Sequence, residues 1–118
     1  MNIIIFVIFS LSQNFTKNHG LIVFFFDISC SYCQKEIHEM ELLKKEGYEV
    51  LGITNDNYGL DLQFPVKKDE GESEFVGIEV LPTMALLFVK EKKLFILGEG
   101  FLSAEEIKER IESIKWPW

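Results

Sequence analysis

Residues 21–47, LIVFFFDISCSYCQKEIHEMELLKKEG, decide how the chain is read. The run 21–27 is dense in apolar residues and predicts a buried strand. Cys30 and Cys33 follow at once, with Ser31 and Tyr32 between them. The segment beyond has helical features and ends on Lys44 and Lys45, ahead of Gly47. Basic residues in a last turn suit the negative end of a helix dipole, and a glycine just past it suits the left-handed position there. A strand that delivers C-x-x-C to the first turn of a helix is the arrangement of a thiol–disulfide redox site.

The chemistry explains the layout. Disulfide exchange runs through thiolate, so sulfur has to be held in its charged form near neutral pH. Unpaired N–H groups and the positive end of the macrodipole provide this at a helix N-terminus. Cys30 comes first, where that field and solvent access are greatest, and is assigned as the nucleophile. Cys33, three residues on, is assigned as the resolving thiol that attacks a mixed disulfide at Cys30. Ser31 and Tyr32 are expected to tune the reduction potential. Tyr32 is either a plain surface aromatic or a contact for substrate peptides.

A structural pair, or half a zinc site, is the competing reading of the two cysteines. Zinc normally takes four ligands, and only His19 and His38 are present to complete a set. His19 lies eleven residues ahead of Cys30, outside the usual spacing, and His38 is turned away from Cys33 on the helix. A complete intrachain zinc site is therefore not expected; a metal shared between chains stays open as an alternative. No metal or other cofactor is assigned, and His38 is read as a solvated helix residue.

A chain of 118 residues is one domain with room for a packed core. Its 47% hydrophobic content, with eleven Phe, argues against disorder. The net charge of −7, with no basic patch beyond short lysine pairs, argues against nucleic acid as a partner. Both cysteines lie in the motif, so no separate structural disulfide can form within the chain.

Upstream, residues 1–12 (MNIIIFVIFSLS) have an apolar run at 3–9, then Ser10 and Ser12 at signal-cleavage spacing. The expectation is an export signal, a domain at 13–118, and a periplasmic or otherwise extracytoplasmic location. The segment has no Lys or Arg, and the alternative is a buried first strand in a cytoplasmic protein. The run is too short for a membrane span, so membrane contact is expected only through this segment.

Downstream, 48–54 predicts a second apolar strand and 55–59 (NDNYG) a turn. Strand, helix and strand in this order make a parallel βαβ unit. Phe64-Pro65-Val66 and then KKDEGESEF read as a polar excursion into a short helix at 70–76, stopped by Gly77. Leu81-Pro82-Thr83 opens an apolar run at 84–89. Glu91, Lys92 and Lys93 make a turn, and 94–97 completes an antiparallel hairpin, with Gly98 and Gly100 breaking the strand. Ser103 and Glu106 form a capping box, and Ile107, Ile111 and Ile114 share one helix face. Trp116 and Trp118 are read as packing or tail residues.

This order of elements, with Cys30-Ser-Tyr-Cys33 and Leu81-Pro82-Thr83, resembles the thioredoxin superfamily over about residues 21–115. The resemblance implies an α/β, thioredoxin-like fold: a central mixed sheet of about four or five strands flanked by helices. It also implies a cis Leu81–Pro82 bond beside the cysteine pair, where neighbouring backbone binds substrate as an added strand. Tyr32, Leu81, Pro82 and Thr83 are thus the substrate-binding candidates, although Thr83 also suits a strand start.

Within the superfamily the chain is similar to conjugal-transfer proteins of the TraF/TrbB type. The similarity rests on FFFDISCSYCQKE, Phe64-Pro65, the step from Gly77-Ile78 to Pro82, and GEGFLSAEEIKERI. Those relatives are exported and serve assembly of pili and type IV secretion machinery; some lack the cysteines that this chain keeps. TlpA/ResA-like reductants share C-x-x-C-x-x-E, here Cys30, Cys33 and Glu36, but have an aromatic where Ser29 stands. Thioredoxin itself has a buried acid where this chain has Phe24. Proton removal from Cys33 then has to use water or another carboxylate, of which Asp27 is one.

The resemblance implies an exported, monomeric thiol–disulfide oxidoreductase acting on cysteine-containing proteins and recycled by a redox partner. The alternatives are a non-catalytic assembly factor on the same fold and a reductant of cytochrome maturation.

Overall fold

The strand β1 (Leu21–Phe26) lies in the middle of the sheet, and its sequence says why. All six residues of LIVFFF are buried, the continuous apolar run a strand needs when both of its faces are covered. Side chains alternate between those faces. Ile22, Phe24 and Phe26 enter one core with Met40, Leu43 and Ile107, while Leu21, Val23 and Phe25 enter a second with Leu51, Ile53 and Leu87. The Phe24 and Phe26 rings stack at 4.5 Å, and Phe64 meets Phe24 edge-on at 6.1 Å.

The structure is a computed structural model and describes residues 20–55 and 61–114. The expected signal or first strand at 1–12, His19, most of the 55–59 turn, Trp116 and Trp118 lie outside the described residues. After β1 come α1 (Ser31–Lys45), β2 (Glu49–Thr54), β3 (Val66–Lys68) and α2 (Glu72–Val76). Then follow β4 (Thr83–Phe88), β5 (Lys93–Glu99) and α3 (Ala104–Ser113). The strands form one mixed sheet in the order β3-β2-β1-β4-β5. β1 is parallel to β2 and antiparallel to β4, and β4 is antiparallel to β5, so the expected βαβ unit and hairpin are both present.

Helix α1 buries Cys33, Glu36, Ile37, Met40 and Leu43, a stripe at helical spacing. Lys44 and Lys45 occupy its last turn, and Gly47 follows at φ +103°. At α3 the capping box closes both ways: Glu106 N–H donates to Ser103 Oγ at 3.1 Å, and Ser103 N–H donates to Glu106 Oε1 at 2.9 Å.

Three expectations need correction. The polar excursion contains a strand, β3, parallel to β2 through Gly52↔Val66 and Thr54↔Lys68. Three residues with two lysines give no apolar signal, yet a short, charged edge strand needs only backbone pairing. Gly52 permits it: a Cβ there would lie 2.9 Å from the Phe26 ring and 3.1 Å from Phe64. The short helix begins at Glu72 rather than 70, because the Asp69 carboxylate accepts from Gly71 and Ser73 N–H and sets the turn first. Strand β5 runs through Gly98 to Glu99 instead of breaking. Its pairing with β4 shifts register between Met84 and Ala85, and a Cβ on Gly98 would fall 2.4 Å from Leu102 Cδ1.

Candidate active site

Three segments converge at the carboxyl end of β1: the turn 27–30, the first turn of α1, and the loop before β4. The turn is built by Asp27. Its carbonyl accepts the Cys30 N–H at 3.0 Å, and its Oδ1 accepts the Ser29 N–H and hydroxyl at 3.1 and 3.0 Å. Gln34 Nε2 donates to the Ile28 carbonyl at 2.8 Å. Held from both sides, Cys30 becomes the N-cap of α1 with extended backbone, φ −87° and ψ 125°. Its sulfur fills the position usually taken by a capping oxygen: the Cys33 N–H donates to Cys30 Sγ at 3.3 Å.

Both cysteines carry free thiols. Cys30 is half-buried, and its S–H points to the Leu81 carbonyl at 3.9 Å. The Leu81–Pro82 bond is cis, as the family resemblance implies. Cys33 is fully buried, and the Asp27 N–H donates to its Sγ at 3.5 Å. Burial, followed by the hydrogen bond with Cys30, pushes the Cys33 thiol up to about 12. The two sulfurs therefore have different environments, one at the helix mouth and one beneath it. Asp27 meets Cys33 through its backbone, while its carboxylate is taken up by Ser29.

Of the substrate-binding candidates, Tyr32 is 59% exposed beside Cys30, with Lys35 Nζ 5.6 Å from its ring centre. Leu81 presents its carbonyl to Cys30, and Pro82 is buried. Thr83 begins β4. It is 0% exposed, its hydroxyl donates to the Val80 carbonyl at 2.6 Å, and its backbone is paired with Phe25 and Glu99. With both edges and the side chain engaged, Thr83 closes the loop onto the sheet. The exposed apolar neighbour there is Val80. His38 stands at 80% side-chain exposure, 4.0 Å from Glu41. Among the described residues no group of three or more His, Cys, Asp or Glu side chains could hold a metal ion.

Glu36 takes a part that sequence reasoning left unassigned. A carboxylate on the apolar stripe of α1 was the available signal. Glu36 is 0% exposed; its Oε1 accepts the Leu102 N–H at 2.8 Å and its Oε2 has no partner among the described residues. One turn on, Glu39 Oε1 accepts the Ala104 N–H at 2.7 Å. The Gly100 N–H in turn donates to the Pro82 carbonyl at 2.7 Å. Polar contacts thus run from the cysteine helix through residues 100–104 to the proline loop.

Burial pushes the Glu36 carboxyl up to about 7 from an ordinary 4.5, with Glu39 and Glu106 adding to the rise and the Leu102 N–H opposing it. Between those values the native chain keeps a proton that the unfolded chain has lost. Stability must then fall as pH rises from 4.5 to 7, by at most about 3 kcal/mol. Glu36→Gln, which cannot ionise, is expected to flatten that slope. Urea unfolding of both proteins at pH 5 and pH 8 checks it; an equal pH dependence in the two would contradict the assignment.

A mixed sheet that holds a C-x-x-C pair at a helix mouth against a cis proline defines a thioredoxin-like protein. More particularly, the chain belongs to the TraF family, described as F plasmid transfer operon protein, whose family model matches residues 10–112. Solved structures share the fold. The exposed lipoprotein thioredoxin Etrx1 of Streptococcus pneumoniae strain TIGR4 is 24% identical with a TM-score of 0.69, over 83% of this chain and 87% of that one. StoA of Bacillus subtilis is 23% identical with a TM-score of 0.61, over 80% and 84%. A DsbE-type thiol:disulfide interchange protein of Chlorobium tepidum is 20% identical with a TM-score of 0.66, over 87% and 83%. No curated protein matches the chain. Among the described residues no helix is long and apolar enough to cross a membrane.

Proposed function

We propose that the chain is a thiol–disulfide oxidoreductase that acts outside the cytoplasm on cysteines of other proteins, in the service of conjugal transfer. The observation that carries this is the setting of Cys30 Sγ, between the Cys33 N–H at 3.3 Å and the Leu81 carbonyl at 3.9 Å. A sulfur placed there reacts at the positive end of a helix while a peptide lies against the 80–81 backbone.

The Cys30 thiolate attacks one sulfur of a substrate disulfide. The substrate S–S bond breaks, one thiolate leaves, and a mixed disulfide forms. Cys33 then gives up its proton and attacks Cys30 Sγ, releasing the second substrate thiol and leaving a Cys30–Cys33 disulfide. Two causes of the raised Cys33 pKa, the hydrogen bond and charge of Cys30, disappear once Cys30 is in the mixed disulfide. The first step thus eases deprotonation of the resolving thiol, while burial, the largest cause, still holds its pKa up. The reverse sequence oxidises a substrate dithiol.

Location outside the cytoplasm is supported by the apolar run 3–9 with Ser10 and Ser12, and by the exposed lipoprotein among similar structures. A conjugation role is supported by the family match. Cys33→Ala tests the chemistry, since without the resolving thiol the mixed disulfide at Cys30 is expected to accumulate. Non-reducing mass spectrometry of this variant with a disulfide-linked peptide should show one adduct on Cys30. An unmodified Cys30 would sink the proposal.

A further inference from the structure

Outside the carboxyl ends of the parallel strands β1 and β2 lies a cavity of about 230 Å³ that the exchange step itself does not use. Crevices at the carboxyl ends of parallel strands are where α/β sheets commonly take ligands. Phe25, Ile53, Ile78 and Leu81 are apolar members of the lining, and Asp69 and Glu79 are its two acidic residues; the Asp69 carboxylate already accepts from the Gly71 and Ser73 N–H groups and the Ser73 hydroxyl. Among the described residues, no Lys, Arg or His contributes to the lining. The volume falls below the ~300–1,000 Å³ of pockets for drug-sized ligands, which suits one side chain rather than a cofactor.

Its place relative to the reactive sulfur gives it meaning. Leu81 lines the cavity and also offers its carbonyl to the Cys30 thiol. A substrate strand disulfide-bonded to Cys30 and lying on residues 80–81 carries its near neighbours past the opening, since two or three residues span roughly 7–10 Å. We propose that this cavity receives a lysine or arginine side chain located within three residues of the target cysteine. The inference rests on the thiol-exchange reading given above.

Charge and shape both favour that occupant. Apolar walls cover a methylene stem while carboxylates meet the charged head. Burial would raise the Asp69 pKa, but the Ser73 hydroxyl and the N–H groups of Gly71, Ser73 and Glu72 together hold it below its ordinary value. Asp69 is therefore ionised. Lys67 Nζ, two residues before it, is paired with Glu72 and Glu70, and none of the ion pairs among the described residues involves Asp69. An acidic side chain would meet two like charges, and an aromatic one would cover the carboxylates without a counter-charge.

The test uses the reduced full chain and synthetic peptides whose single cysteine is the mixed disulfide of 2-mercaptoethanol. In each turnover the protein dithiol becomes the Cys30–Cys33 disulfide, and the peptide thiol and mercaptoethanol are released. Arginine, its neutral isostere citrulline, or glutamate is placed in turn at each of three positions on either side of the cysteine. At one position or more, the arginine peptide should react roughly fivefold faster than citrulline, the upper range for a partly exposed ion pair, and the glutamate peptide slower. Glu79→Gln should bring the arginine-to-citrulline ratio close to one, with Asp69→Asn as the second variant. Glu109→Gln removes the same charge from α3 and should leave the ratio in place. A ratio within about twofold at every position, or one indifferent to both cavity variants, overturns the proposal. Absence of reaction with every peptide overturns the exchange reading as well.

Discussion

Replacing Cys30 with serine should reduce disulfide exchange to the uncatalysed background, a loss on the order of 10³-fold or more. Serine keeps an atom able to accept the Cys33 N–H at the N-cap, so the fold and the first turn of α1 should survive. What is lost is the thiolate, since a hydroxyl does not ionise at neutral pH and forms no mixed disulfide. The comparison with Cys33→Ala is informative because the two changes fail differently: one never forms an adduct, the other forms it and cannot release it. Turnover of a model disulfide such as insulin measures the loss. Retention of more than about a tenth of the activity in Cys30→Ser would remove Cys30 from the nucleophile's role. If the variant were inactive in exchange yet still supported conjugal transfer in cells, the non-catalytic assembly reading would replace the enzymatic one.

The largest effect on stability should come from Phe24→Ala. Phe24 is 0% exposed, stacks on Phe26 at 4.5 Å and meets Phe64 at 6.1 Å. Truncation removes a ring from the face that packs against α1 and α3, and the central strand has little freedom to collapse into the space. Such changes typically cost ~3–5 kcal/mol, a large share of the ~5–15 kcal/mol that holds a domain together. Phe101→Ala, at a ring 41% exposed, should stay within about 0.5 kcal/mol. Urea unfolding of both variants decides it; a loss below ~1.5 kcal/mol for Phe24→Ala would mean that the core is not organised around β1.

What could be read from the sequence follows from how strongly each segment's chemistry is expressed in its residues. LIVFFF announces a central strand because burial on both faces demands apolar residues at every position. The cysteine pair was placed by the strand before it and the helix after it, and α3 by Ser103 and Glu106. The segments that escaped are held by backbone geometry. β3 rests on main-chain pairing beside Gly52, and β5 passes Gly98 through a shift of register. Glycine read as a break was in fact a close contact. At the candidate site, the spacing and family resemblance point to the placement of Cys30 and Cys33 beside a cis Leu81–Pro82 bond. The Thr83 hydroxyl bonds to the Val80 carbonyl, a contact that a motif does not reveal. Glu36 was visible only as part of a pattern; its bond to Leu102 spans 66 residues, and no local signal reports such a distance.

Equilibration of the purified chain in glutathione buffers, with free thiols counted at each ratio, tests the central claim most directly. The account predicts one reversible two-electron transition in which Cys30 and Cys33 pass together between dithiol and intramolecular disulfide. Its midpoint should fall within the range of about −270 to −120 mV spanned by catalysts of this chemistry. If no intramolecular disulfide forms at any ratio, the two sulfurs are not a redox pair, and the oxidoreductase reading is wrong.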